Sequence, residues 1–109
     1  MRAVVRLHGR LAGYLWREDD GTIGFRYDQE YVDKALPALS ASLPLRYQSW
    51  QGPRLPAYFT GLVSEGWLRR TQAWEQHIDE SDHFSLLVRN GDDLPGAVTI
   101  ELQDLSGTD

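Results

Sequence analysis

The 109 residues of this chain are enough for one domain, and the absence of cysteine excludes disulfide bonds and thiolate metal or redox chemistry. A net charge of -5 disfavours direct nucleic-acid binding, because neutralising phosphates requires a dense basic surface. The first residues lack the apolar run of a signal peptide, and no stretch is apolar enough to cross a bilayer. We therefore expect a cytoplasmic protein with no membrane segment.

The start of the chain predicts an antiparallel meander of three strands. Turns containing Gly9 and Gly21 separate apolar stretches, and glycine allows the positive φ that tight turns require. Ile23, Phe25 and Tyr27 alternate in the third strand, so we expect all three on its buried face. The predicted strands cover residues 3–7, 11–16 and 22–27.

The pattern changes after the meander. Residues 29–36 predict one or two helical turns, because Pro37 disfavours helix in the residue before it. Leucine and alanine alternate with other residues over 38–45, and Pro44 cannot donate to a ladder, so this stretch predicts an edge strand. Proline and glycine interrupt residues 47–56, which indicates a loop.

The second half predicts short helices and a last strand. Phe59, Leu62 and Val63 recur at helical spacing after Pro56, and Gly66 is suited to end that helix. A further helix is predicted over about 67–77, and another over 84–88, capped by Ser81 or Asp82 and ended by Asn90 and Gly91. The chain then predicts a strand over 97–102 and a frayed tail over 104–109. These elements predict a single α+β domain over residues 1–109, in which two or three short helices pack on an antiparallel meander or partly open, barrel-like sheet.

Trp67 allows two interpretations, which differ in where a binding surface lies. With Trp74 and Ile78 it has the spacing of one helix face, and this indicates an ordinary buried stripe. Alternatively, the preceding glycine makes Trp67 the first residue of its helix, so that the ring projects from a corner. Beside Arg69 and Arg70, a projecting ring forms the tryptophan and arginine cluster typical of interface hot spots.

No motif nominates a catalytic, cofactor-binding or metal site. The glycines of residues 21–24 lack the spacing of a nucleotide loop and indicate a hairpin. The densest group of possible metal ligands, in residues 77–83, matches no trusted ligand spacing, and its acids suit a helix cap. The acid pairs at 19–20 and 92–93 lie in predicted turns, where we expect solvated carboxylates rather than an acid–base pair.

Two stretches, in this order and at this separation, resemble a known family. Residues 39–45 read Leu-Ser-Ala-Ser-Leu-Pro-Leu, and residues 91–98 read Gly-Asp-Asp-Leu-Pro-Gly-Ala-Val. With the three-strand start and the segments 59–70 and 82–87, they resemble the N-terminal subdomain of HipA-type serine/threonine kinase toxins over nearly the whole chain. Many members of that family have Leu-Pro-Glu-Gly where this chain has Val-Ser-Glu-Gly, followed by Trp67.

The resemblance implies a binding protein rather than an enzyme. HipA kinases continue into a catalytic core, whereas this sequence ends at Asp109, so we expect no kinase activity. A free-standing copy of the subdomain resembles the small HipS-like antitoxins of three-gene HipBST systems, which implies a HipT-like kinase toxin and a HipB-like DNA-binding protein as partners. The residues that we expect to bind the kinase are Ser64, Glu65, Gly66, Trp67, Arg69 and Arg70. The alternative is a structural subdomain of a split kinase that binds without inhibiting.

Overall fold

The computed structural model describes residues 1–63, 73–79, 81–92, 94 and 97–103. The elements in chain order are β1 (Arg2–Leu7), β2 (Arg10–Arg17), β3 (Ile23–Tyr27), α1 (Gln29–Asp33), β4 (Trp50–Gly52), α2 (Ala57–Thr60), α3 (His83–Arg89) and β5 (Val98–Leu102). Residues 73–76 are also helical. The predicted α+β fold class is confirmed, with short helices packed on an open antiparallel sheet.

The sheet has the strand order β4-β3-β2-β1-β5, and all of its neighbouring strands are antiparallel. The predicted meander of β1, β2 and β3 is therefore confirmed. Its first turn needs two residues with positive φ, His8 at 52° and Gly9 at 78°, and glycine adopts this conformation without steric cost. β5 pairs with β1, so the last strand of the chain lies beside the first.

One face of the sheet carries the hydrophobic core. Alternation along the strands directs Val5, Leu15 and Phe25 to this face, and each is fully buried. The Phe25 ring lies 5.2 Å from the Phe59 ring of α2 and 5.9 Å from the Trp50 ring of β4, measured between ring centroids. These aromatic contacts join the sheet to the elements that cover it.

The predicted edge strand over residues 38–45 is wrong. Ser40 and Leu43 form an isolated bridge across a turn, in which the Leu43 amide donates to the Ser40 carbonyl at 3.0 Å. The Tyr27 hydroxyl donates to the Leu43 carbonyl and accepts from the Leu39 amide. These backbone groups are satisfied by a buried tyrosine rather than by a neighbouring strand, which leaves only Leu43 fully in the core.

The edge of the sheet next to β3 is instead formed by β4, in a stretch predicted to be a loop. Trp50 pairs with Phe25 and Gly52 pairs with Ile23, so the strand is only three residues long. The Arg46 guanidinium lies 3.8 Å from the Trp50 ring centroid and donates to two carbonyls of the preceding loop. These contacts hold the short strand against β3.

The described helices cover the core face. α1 begins at Asp28, whose side chain accepts from the Glu30 amide, and α3 begins at Asp82, whose side chain accepts from the Ser85 amide. The predicted cap at Asp82 and the predicted end at Asn90 are confirmed. The predicted tail over 104–109 lies outside the described residues.

Candidate partner-binding surface

The six residues predicted to bind a partner lie outside the described residues: Ser64, Glu65, Gly66, Trp67, Arg69 and Arg70. The same holds for the helix end predicted at Gly66. The structure does describe both flanks of this stretch, residues 57–63 and 73–79.

The N-terminal flank is anchored in the core. α2 begins after Pro56 and extends to Thr60, and Gly61 follows it in a right-handed helical conformation. Phe59 and Val63 are buried and Leu62 is partly buried, as predicted, but the helix is shorter than predicted: it ends at Thr60, and Leu62 and Val63 lie in the turns that follow it. The chain therefore leaves the described part from a fixed point beside Phe59.

The C-terminal flank returns to the core at Ala73, which is 5% exposed. Its neighbour Trp74 is 82% exposed, so the interpretation of a buried stripe through Trp74 is wrong for this residue. The helical turn faces the core with Ala73 and Ile78, which are joined by an amide-to-carbonyl hydrogen bond of 2.9 Å. This orientation directs the Trp74 ring to solvent. The position of Trp67 lies outside the described residues.

The same flank is tied to α3 by a pair of side-chain amides. Gln76 Nε2 donates to Asn90 Oδ1 at 3.1 Å, and Asn90 Nδ2 donates to Gln76 Oε1 at 3.3 Å. The two described flanks, which contain the buried residues Val63 and Ala73, thus lie on the helix-covered side of the sheet. The exposed Trp74 belongs to the second of them.

A cleft of about 730 Å³ lies between α2 and the start of α3. Its lining combines apolar and charged side chains, including those of Ile23, Arg54, Leu55, Asp82 and Phe84. The cleft adjoins Thr60 and Gly61, from which the chain continues toward residues 64–70. A partner that contacts that stretch can therefore also reach a concave surface.

An ion pair next to this cleft joins β2 to α3. Arg17 Nη1 lies 2.8 Å from Asp82 Oδ1, and Arg17 Nη2 donates to Ser85 Oγ at 3.2 Å. The guanidinium also lies 4.9 Å from the Phe84 ring centroid. Partial burial raises the pKa of Asp82, but the hydrogen bonds from Ser85 and Arg17 outweigh it and hold the pKa below its ordinary value.

The described residues contain no group of three histidine or acidic side chains close enough to hold a metal ion. Of the ligand types noted at 77–83, Asp79 accepts from the Ser81 amide and hydroxyl, and Asp82 is bound by Arg17 and Ser85. Asp20 lies in the turn before β3, where hydrogen bonds from Thr22 lower its pKa. These acids serve turns and a helix cap. In the same part of the chain, no helix has the length and apolar character to span a membrane.

A family model for the HipA N-terminal domain matches residues 3–101. The chain belongs to the HipA N-terminal domain family. The match includes all five strands and the stretch between the two described flanks.

Curated relatives of two kinds are similar to this chain. An uncharacterized protein of Haemophilus influenzae is 41% identical over 106 residues, which cover 93% of this chain and 96% of that protein. Two Sinorhizobium fredii proteins provisionally named kinases, Y4mE and Y4dM, are each 34% identical. The similarity covers 88% of this chain but only 23% and 25% of those proteins.

A solved structure described as the N-terminal domain of HipA toxin has the same fold. It is 32% identical, with a TM-score of 0.74, and the superposition covers 95% of this chain and 93% of that chain. The region of similarity is therefore the N-terminal domain and not the catalytic part of a kinase.

Proposed function

We propose that this protein is an antitoxin that binds and inhibits a HipT-type serine/threonine kinase toxin in the cytoplasm. The complex would also contain a HipB-like DNA-binding protein, which makes the DNA contacts that a net charge of -5 disfavours for this chain. The match to the HipA N-terminal domain carries the proposal. The same domain forms about a quarter of two proteins provisionally named kinases. A free-standing copy of the domain can bind a separate kinase through the same surface that packs against the kinase where both belong to one chain.

The proposed kinase-binding segment comprises Ser64, Glu65, Gly66, Trp67, Arg69 and Arg70. Its flanks support this role, because buried residues anchor both ends and Trp74 is exposed beside it. Trp67 would enter the kinase near its nucleotide or substrate cleft and block activity by occupancy. Tryptophan and arginine anchors of this kind contribute roughly 2 kcal/mol or more each when a partner buries them.

The test is a phosphorylation assay of a HipT-type kinase with added wild-type protein, Trp67→Ala or Trp67→Phe. We expect wild type to inhibit, Trp67→Ala to lose at least about tenfold in inhibitory potency, and Trp67→Phe to retain part of it. Tyr47→Ala is the matched control, because Tyr47 is also a large exposed aromatic residue but lies in the loop before β4. Circular dichroism establishes that every variant is folded.

Undiminished inhibition by folded Trp67→Ala would remove the role of Trp67. A second function, a structural subdomain of a split kinase without inhibitory activity, is favoured by the similarity to about a quarter of longer proteins. In that case the wild-type protein binds the kinase but leaves phosphorylation unchanged. Binding measured by calorimetry alongside the kinase assay separates the two functions.

A further inference from the structure

The sheet face opposite the helices carries arginines next to aromatic rings. Alternation along β1 places Arg2, Val4 and Arg6 on this face, because Ala3 and Val5 point into the core. The strand register pairs Val4 with Tyr14, Arg2 with Trp16 and Tyr14 with Arg26. We call this surface the arginine–aromatic face; its residues are Arg2, Val4, Arg6, Tyr14, Trp16 and Arg26.

Two of its guanidinium groups lie over one tyrosine ring. The Arg2 and Arg26 guanidinium carbons lie 5.2 Å and 5.8 Å from the Tyr14 ring centroid. The Tyr14 hydroxyl donates to Asp28 at 3.1 Å, which fixes the ring. Neither guanidinium donates a hydrogen bond to a described residue, so the N–H groups of both remain available for a planar carboxylate.

These arginines have no carboxylate partner in the described part of the chain. The ion pairs found there join Arg17 to Asp82 and Lys34 to Glu30. Arg2 and Arg26 are exposed and Arg6 is partly buried. In a protein of net charge -5, the face is a local concentration of positive charge; Glu18 and Glu101 lie at its margin and form no ion pair with these arginines in the described part of the chain.

A shallow depression of about 500 Å³ lies on this face, and Arg2, Trp16 and Arg26 line it. The Trp16 ring packs directly on Gly24 of β3, where any side chain would overlap the indole. The ring is therefore held flat against the sheet. The Trp16 ring thus gives the depression an apolar surface beside Arg2 and Arg26 that is already formed in the isolated protein.

We propose that the arginine–aromatic face docks an acidic polypeptide segment of a protein partner. Arg2 and Arg26 bind its carboxylates through their N–H edges, and Trp16 packs against an apolar side chain between them. A short acidic segment is favoured over nucleic acid, because the local positive charge of the arginines suffices for a few carboxylates, whereas a continuous phosphate backbone extends beyond the face and meets the net negative charge of the rest of the protein. The site goes beyond kinase inhibition, because the flanks of the proposed kinase-binding segment lie on the other side of the sheet.

The probe is a fluorescein-labelled peptide of Glu-Glu-Leu repeats, titrated with the full chain and followed by fluorescence anisotropy. We expect salt-sensitive binding and a Kd raised by roughly tenfold or more in the double variant Arg2→Glu with Arg26→Glu. The matched control is Arg10→Glu with Arg89→Glu, which makes the same charge change at exposed positions outside the face and should leave the Kd within about twofold of wild type. If the first double variant does not fold, Arg2→Gln with Arg26→Gln replaces it and should still weaken binding.

Nuclear magnetic resonance of the indole N–H groups identifies where the peptide binds. We expect the Trp16 signal to shift on addition of peptide and the Trp74 signal to stay in place. The proposal is overturned if the peptide does not bind, if both double variants bind alike, or if Trp74 shifts instead of Trp16. Tighter binding of a single-stranded oligonucleotide of the same net charge also overturns it. None of these results depends on whether a kinase is inhibited.

Discussion

Gly91 is the residue that brings the end of α3 closest to β5. Its buried backbone lies so near Ile100 that a Cβ atom would overlap the Ile100 carbonyl oxygen. The Ile100 amide donates to the Gly91 carbonyl at 3.1 Å, so the contact also satisfies a backbone donor on the outer side of β5. The position requires glycine for space rather than for an unusual φ.

We expect Gly91→Ala to lower the free energy of unfolding by roughly 2–4 kcal/mol, because the methyl group forces β5 and the end of α3 apart. Urea unfolding followed by circular dichroism measures the change. Gly52→Ala is the control: nothing lies within 4 Å of its added Cβ, and we expect a change below about 0.5 kcal/mol. Equal losses at the two glycines would contradict the packing described for Gly91.

At the scale of elements, α3 is joined to the sheet at its first turn by one carboxylate. Asp82 accepts from the Ser85 amide and hydroxyl as the helix cap, and it also pairs with Arg17 of β2. A single side chain therefore begins the helix and holds it over the core. Its contribution to stability depends on its being ionised.

The free energy of unfolding should fall in acid partly through Asp82. Partial burial raises the pKa of Asp82, but the hydrogen bonds from Ser85 and Arg17 have the larger effect and hold this pKa below its ordinary value of 3.8. Because the folded state binds this proton less readily than the unfolded chain, the stabilisation is complete above that value and is lost as the pH falls through the lowered pKa. We expect Asp82→Asn to be destabilised relative to wild type near neutral pH, and the difference to shrink in acid.

Urea unfolding at about pH 7 and about pH 3 measures this convergence. Asp92→Asn is the control, because Asp92 is an exposed acid in the turn after α3 and takes no part in the ion pair. A stability difference between Asp82→Asn and wild type that is the same at both pH values would exclude the ionised carboxylate as its source.

Most elements were predictable because their signals are local. Alternation in β3, the proline before α2 and the acid at the start of α3 each act within a few residues. The errors arose where a distant group decided the structure. The Tyr27 hydroxyl binds the backbone of residues 39–43 and so competes with strand formation, and the aromatic contacts of Trp50 make an edge strand from a stretch rich in loop residues.

The candidate site was less predictable than the fold. The spacing of Trp74 and Ile78 suits one helix face, but Ala73 fills the core position and Trp74 is exposed. The polar residues Glu75 and Gln76 directly after Trp74 were the available signal. Likewise, Arg2 and Arg6 alternate with buried residues, but only the register of β1 against β2 and β3 brings them beside Tyr14, Trp16 and Arg26.

For the whole molecule, the arginine–aromatic face and the described flanks of the proposed kinase-binding segment lie on opposite sides of one sheet. Trp67→Ala should weaken kinase inhibition at least about tenfold without changing the binding of the acidic peptide. Arg2→Glu with Arg26→Glu should do the reverse, because no described side chain of the arginine–aromatic face belongs to the core that anchors residues 63 and 73. Both assays on both variants measure this independence. If either variant loses both activities while folded, the two surfaces are not separate.

The pairing of β5 with β1 also sets the order in which the protein can be completed on the ribosome. β1 is synthesised first, but its outer edge has no partner until residues 98–102 have emerged. Until then the nascent chain exposes a strand edge and an incomplete core, because Val98 and Ile100 belong to the buried set. Pairing across almost the whole sequence also slows folding, since a long loop must close first. The sheet is therefore finished only when nearly all of the domain has been translated.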